Sequence, residues 1–144
     1  MFSVCTSLTI VPTILHATTL ADWCYERMFE GCASLKIAPA LPATTLKHGC
    51  YNSMFSGCKS LIATPELPAI TLTTGCYREM FYGCTSLTQA QELPATTLDS
   101  QCYYAMFEGC TSLTAAPTIL PATTLVKSCY ASMFHNCKSL VIAP

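Results

Sequence analysis

Charge is what this chain has least of. Seven Lys or Arg and eight Asp or Glu occur among 144 residues, 10% in all, scattered singly to a net charge of −1. Nucleic acid and anionic membrane surfaces need clustered cations, so neither is expected as a partner. Hydrophobic residues make up 51%, yet no apolar run approaches the roughly 18 residues that span a bilayer. The N-terminus lacks the basic region and apolar stretch of a signal peptide, leaving any address signal to lie upstream of Met1. Cys-x-x-Cys is absent, and His16, His48 and His135 fall at three different places in the pattern described below. Neither a metal site nor a cofactor is expected from them. Thr, at twenty positions, supplies polar surface in place of Lys and Glu.

What is there is a repeat. Met-Phe recurs at Met1-Phe2, Met28-Phe29, Met54-Phe55, Met80-Phe81, Met106-Phe107 and Met133-Phe134, at spacings of 27, 26, 26, 26 and 27 residues. A fixed period in this range means one supersecondary unit stacked on copies of itself, a solenoid. The units are 1–27, 28–53, 54–79, 80–105 and 106–132, with a partial sixth at 133–144. Apolar content spread evenly over the units fits one continuous core.

Within a unit, Leu98, Cys102, Met106 and Cys110 place apolar residues four apart, with Tyr103 and Phe107 one residue along. Leu46, Cys50, Met54 and Cys58 repeat the row. We read this stripe as an amphipathic helix. Gly31, Gly57, Gly83 and Gly109, with Asn136 in the same place, read as its left-handed C′ stop. The segment around Ser-Leu-Thr reads as a short strand pairing in parallel with its neighbours one rung away. Pro39, Pro65 and Pro117 mark where that pairing ends, because Pro cannot donate to a ladder.

The string Met-Phe-x-Gly-Cys-x-Ser-Leu-Thr, with its Pro-bounded segment and Thr-rich turn, resembles the BspA-like leucine-rich repeats of bacterial surface proteins. The resemblance covers the whole chain. It departs in having Met where Ala is usual, Cys-Tyr where Ile-Gly is common, and longer units. It implies residues 1–144 as a single α/β leucine-rich-repeat solenoid fragment, with a parallel strand ladder on one face and short helices on the other. It further implies a cell-surface or extracellular protein that adheres to host proteins, matrix or other cells, without cofactor or enzymatic activity. The alternative function is a structural, self-assembling spacer or fibre.

Cysteines fall in pairs eight apart, Cys24/Cys32 to Cys129/Cys137, with Cys5 left over. Eight residues along a helix rise about 12 Å, and adjacent helix axes lie roughly 8–10 Å apart. Both exceed the roughly 7 Å reach of a disulfide, so buried thiols are favoured over bridges. The stacked serines, Ser7 to Ser139, read as a hydrogen-bonding ladder between rungs, and Tyr25 to Tyr130 as core.

Binding specificity is best sought where residues break the repeat, because packing does not dictate them. Two such columns follow the second Cys and the Ser-Leu pair. From them Lys36, Lys59, Ile62, Thr85, Thr88, Thr111, Thr114 and Lys138 form a candidate strip for a protein ligand. No polar capping unit closes either end. That fits a piece of a longer array, or open ends that associate head-to-tail.

Overall fold

The computed structural model describes residues 1–144. Successive 26- or 27-residue units do lie on one another, but their elements are not those expected. No helix forms anywhere, and strand-like pairing is confined to six isolated parallel bridges such as Ala63 with Gln89 and Gln89 with Ala115. The α/β solenoid with a strand ladder and helices, and with it the leucine-rich-repeat description, is therefore corrected. The chain is a stack of coils made of turns.

The reason lies in the apolar rows. An α-helix advances 100° per residue, so a four-residue step overshoots a turn by about 40° and a twelve-residue step by about 120°. Leu46, Cys50, Met54 and Cys58 would fan around a helix. They stay on one side only in a coil that repeats every four residues. Hydrogen bonds show how that coil is made. Glu26, Met28, Glu30 and Cys32 each donate their backbone N–H three residues back, to Trp23, Tyr25, Arg27 and Phe29, at 3.1–3.2 Å. These are overlapping β-turns two residues out of step. The residues between them send their N–H groups to the next rung instead. Tyr25, Arg27, Phe29 and Gly31 donate to the carbonyls of Cys50, Asn52, Met54 and Ser56 at 2.7–2.9 Å. Along this turn-built stretch half the amides are satisfied within a rung and half between rungs.

A left-handed residue stands at the third position of alternate turns, where a type II turn requires positive φ. Three columns carry this conformation. One runs Val4, Gly31, Gly57, Gly83, Gly109, Asn136 at φ between 59° and 74°. The second includes Trp23 and Gly49, and the third Arg27, Ser53, Glu79, Ala105 and Ser132. The Gly expected to end a helix is thus left-handed as anticipated, but it serves a turn.

In each four-residue repeat two neighbouring side chains point inward. Cys50 and Tyr51, then Met54 and Phe55, are essentially inaccessible, as are their counterparts one and two rungs on. Phe2, Phe29, Phe55, Phe81, Phe107 and Phe134 stack with centroids 5.6–5.8 Å apart and planes within 11° of parallel. Tyr25 to Tyr130 form a second such column at 5.7–5.8 Å. These are offset stacks, worth about 0.5–1.5 kcal/mol per pair beyond burial.

All eleven cysteines are free and eight are buried. The helix geometry invoked against disulfides does not exist, so the reason is different. In-register side chains repeat at about the 4.8 Å inter-chain spacing and run parallel, whereas a disulfide draws its Cβ atoms to about 3.8 Å. The second cysteine of each unit also has a bond of its own. Thiols of Cys32, Cys58, Cys84, Cys110 and Cys137 donate to the carbonyls of Phe2, Phe29, Phe55, Phe81 and Phe107 in the preceding rung, at 3.1–3.2 Å. Each inner carbonyl also accepts its own rung's turn amide, as Phe55 does from Cys58 at 3.0 Å. Both lone pairs are used. The serine column behaves otherwise than expected: backbone amides of Ser34, Ser60 and Ser86 bridge the rungs, donating to Thr6, Ala33 and Lys59.

Two outcomes follow from this architecture. An added Cβ at Gly83 meets nothing within 4 Å, so Gly83→Ala pays only the left-handed backbone, about 1–2 kcal/mol, while Gly83→Asn loses less. At Gly49 the added Cβ would sit 2.1 Å from the Trp23 ring, so Gly49→Ala should cost more and red-shift the emission of the chain's single Trp. Urea titrations with fluorescence check both, and an Ala variant at Gly83 as stable as the parent would refute the left-handed turn. The second outcome concerns pH. Burial raises the thiols of Cys50 and Cys102 from 9.0 to about 11, and of Cys58 and Cys110 to about 12. The unfolded chain loses these protons first, so stability is intact below about pH 8 and falls as pH climbs from 9 toward those values. Cys58→Ala should flatten the alkaline fall in urea midpoint.

Candidate interaction face

The face that matters begins where hydrogen bonding between rungs gives out. After the buried Leu of each unit, Ile62 donates its backbone N–H to the Lys36 carbonyl at 3.4 Å, Thr88 to Ile62 at 3.2 Å and Thr114 to Thr88 at 3.3 Å. Lys36, Ile62, Thr88 and Thr114 therefore stand in one exposed column. Thr88 and Thr114 also turn their hydroxyls onto the carbonyls of Ile62 and Thr88, at 3.3 and 3.2 Å. Those hydroxyl protons are engaged by the fold. Lys59, Thr85, Thr111 and Lys138 stand in a second column, three residues earlier in each rung and separated from the first by the buried Leu61, Leu87 and Leu113. Thr111 is half-buried and the other three are exposed. The eight residues of the strip are thus two columns, not one.

Beyond the first column the chain enters the Pro-bounded segment. Pro39, Pro42, Pro65, Pro68 and Pro94 bring no N–H, and this stretch has few direct backbone bonds between rungs. Ala40 exchanges two with Thr13 and Leu15 at 2.8 and 3.0 Å. Two rungs further on, the amide of Gln91 turns instead to the Thr64 hydroxyl at 2.9 Å. Rungs not drawn together by a ladder leave space, and four shallow depressions open along the stack. One of about 290 Å3 is lined by Thr9–Thr13 with Ile37 and Ala38. The next, about 160 Å3, is lined by Lys36, Ile37, Ala38 and 62–65. The largest, about 420 Å3, holds Thr13, Leu41, Pro42, Pro65, Glu66 and Pro68 among its walls. The last, about 230 Å3, is bounded by Glu66–Pro68, Gln91, Glu92 and Pro94. Each shares residues with its neighbour, so together they make one trough crossing the first four rungs.

Of the strip read from the sequence, Lys36 and Ile62 line this trough. Lys59, Thr85, Thr88, Thr111, Thr114 and Lys138 do not line it. Sequence reasoning missed Ile10, Ile37, Glu66 and Glu92. The signal available was two prolines three residues apart in the same unit, which removes two donors from one short segment.

Electrostatically the trough is divided. Lys36 stands at one margin and the carboxylates of Glu66 and Glu92 at the other. Glu92 accepts from the Thr118 amide with both oxygens at 3.1 Å and from its hydroxyl at 3.0 Å. The amide bond above all holds its carboxyl below the usual carboxylate range, so it is ionised at neutral pH. No three or more His, Cys, Asp or Glu side chains converge as metal ligands would. No helix is long and apolar enough to cross a membrane. On the opposite, turn-built side, polar neighbours pair across rungs instead, as His135 Nδ1 does with Glu108 at 2.9 Å. The chain matches no family model, no curated protein and no solved structure, and none of these comparisons bears on the BspA-like resemblance.

Proposed function

We propose that this chain is a non-enzymatic protein-binding module, working outside the cell or at its surface. One observation carries the reading. Ile10, Ile37 and Ile62, in three successive rungs, expose 84%, 73% and 53% of their surface and line adjoining parts of one trough. Isolated exposed apolar residues are ordinary, but a contiguous group beside a groove is what a partner covers. The interior needs none of these three side chains, since the Phe, Tyr, Met and Cys columns fill it. Adhesion as such has no family evidence behind it, so the reading is confined to binding a protein.

A second reading is a structural spacer, favoured by Phe and Tyr stacks that run unbroken through every rung. Head-to-tail association of copies would belong to that role. The two readings part on one comparison. Purified matrix and cell-surface glycoproteins are presented to the parent chain and to an Ile10→Thr/Ile37→Thr/Ile62→Thr variant of matched thermal stability. A binding module should lose at least about ten-fold in affinity, roughly 1.4 kcal/mol, in the variant. A parent chain that binds none of them, or a variant that binds equally well, favours the spacer, and size-exclusion across a dilution series then reports on stacking.

A further inference from the structure

The trough has a chemistry more specific than apolar. Its largest part is lined by Pro42, Pro65 and Pro68 beside Leu41. No Lys or Arg lines that part or the depression next to it, whereas Glu66 belongs to both and Glu92 to the second. Glu66 is exposed and enters no salt bridge. Glu92 is one rung away in the same column and ionised. Two carboxylates in one column, bordering depressions that no cationic side chain lines, favour a cation beside them.

The length and the backbone point to the form of the occupant. Four rungs span three intervals, about 14 Å, which is room for four or five residues of extended chain at about 3.3 Å each. The carbonyls of Pro65 and Leu67 carry no backbone hydrogen bond, leaving acceptors for polar hydrogens of a ligand. Proline rings beside those acceptors suit the aliphatic stems of long cationic side chains, which lie on apolar surface with the charged head free.

We propose that the trough docks an extended segment of a partner protein carrying Lys or Arg, with the cation at Glu66 and Glu92 and the remainder along Pro42, Pro65 and Pro68. Lys36, at the far margin, repels a second cation there and so sets the direction of the segment. This deepens the protein-binding reading and rests on it for the claim that the partner is a protein.

Fluorescein-labelled peptides of about nine residues, with Lys confined to one end and Ala and Thr elsewhere, are compared by anisotropy with Glu-substituted and uncharged counterparts. The full chain is titrated at about 0.05 and 0.3 M salt. The Lys peptide should bind, the Glu peptide should not, and added salt should weaken the complex. Glu66→Lys should lower affinity about five-fold or more, Glu66→Gln should lower it less, and Lys59→Glu, outside the trough, should leave it unchanged. Equal binding of the Lys and Glu peptides, or indifference to Glu66→Lys, overturns the proposal. If the Lys peptide binds through Glu66 while no purified glycoprotein does, the groove stands and the wider functional reading fails. Glycoprotein capture that depends on the isoleucines but ignores Glu66 gives the reverse result.

Discussion

Everything in this molecule depends on the division of its backbone amides into two sets. Alternate N–H groups close β-turns inside a rung, and those between them reach the carbonyls of the next. A helix satisfies all its interior amides within itself and can persist on local bonds. A rung of this kind cannot. Cut from its neighbours it would leave about half of its turn-face amides without a protein partner, so the unit of stability is a group of rungs. The stacked rings and the thiol column follow from the same constraint. Once the backbone fixes the spacing along the turn-built face, like side chains there fall over like.

That uniform spacing also explains the cysteines. A thiol is small enough for the narrow interior and can still donate a proton to the one carbonyl lone pair that the turn leaves unused. Burial raises its pKa and keeps it protonated, which is the state that donation requires. Alanine would lose the bond and leave the sulfur's volume empty, and serine would bring a more strongly hydrated hydroxyl to a dry site. The sulfur at this place thus joins packing to hydrogen bonding.

Much of this was legible in the sequence, though not the element types. Met-Phe recurrence gave the rungs and their boundaries, and Gly31, Gly57 and Asn136 announced a left-handed backbone. The helix was misread from rows such as Leu46, Cys50, Met54, Cys58. Their spacing never alternates between three and four residues, as a 3.6-residue period demands, and that strictness was the sign of a turn coil. The left-handed residues at Arg27, Glu79 and Ala105 carry no such sign, because neighbouring rungs impose the conformation on ordinary side chains. At the candidate face, Lys36 and Ile62 were reachable as breaks in the repeat. Glu66 stands between the paired prolines Pro65 and Pro68 and so carried a signal, whereas Glu92, whose unit has Gln91 in place of the first proline, did not; the width of the trough shows only when rungs are placed side by side.

The columns have one more consequence, for how such a chain changes over generations. Because each coil presents the same donors, acceptors and rings above as below, removing or duplicating one whole coil rejoins matching surfaces. Unequal exchange between near-identical coding segments would therefore lengthen or shorten the molecule in steps of about 4.8 Å without disturbing its interior. Reach would vary by whole increments, while the marks that distinguish one coil from another are shuffled along its length.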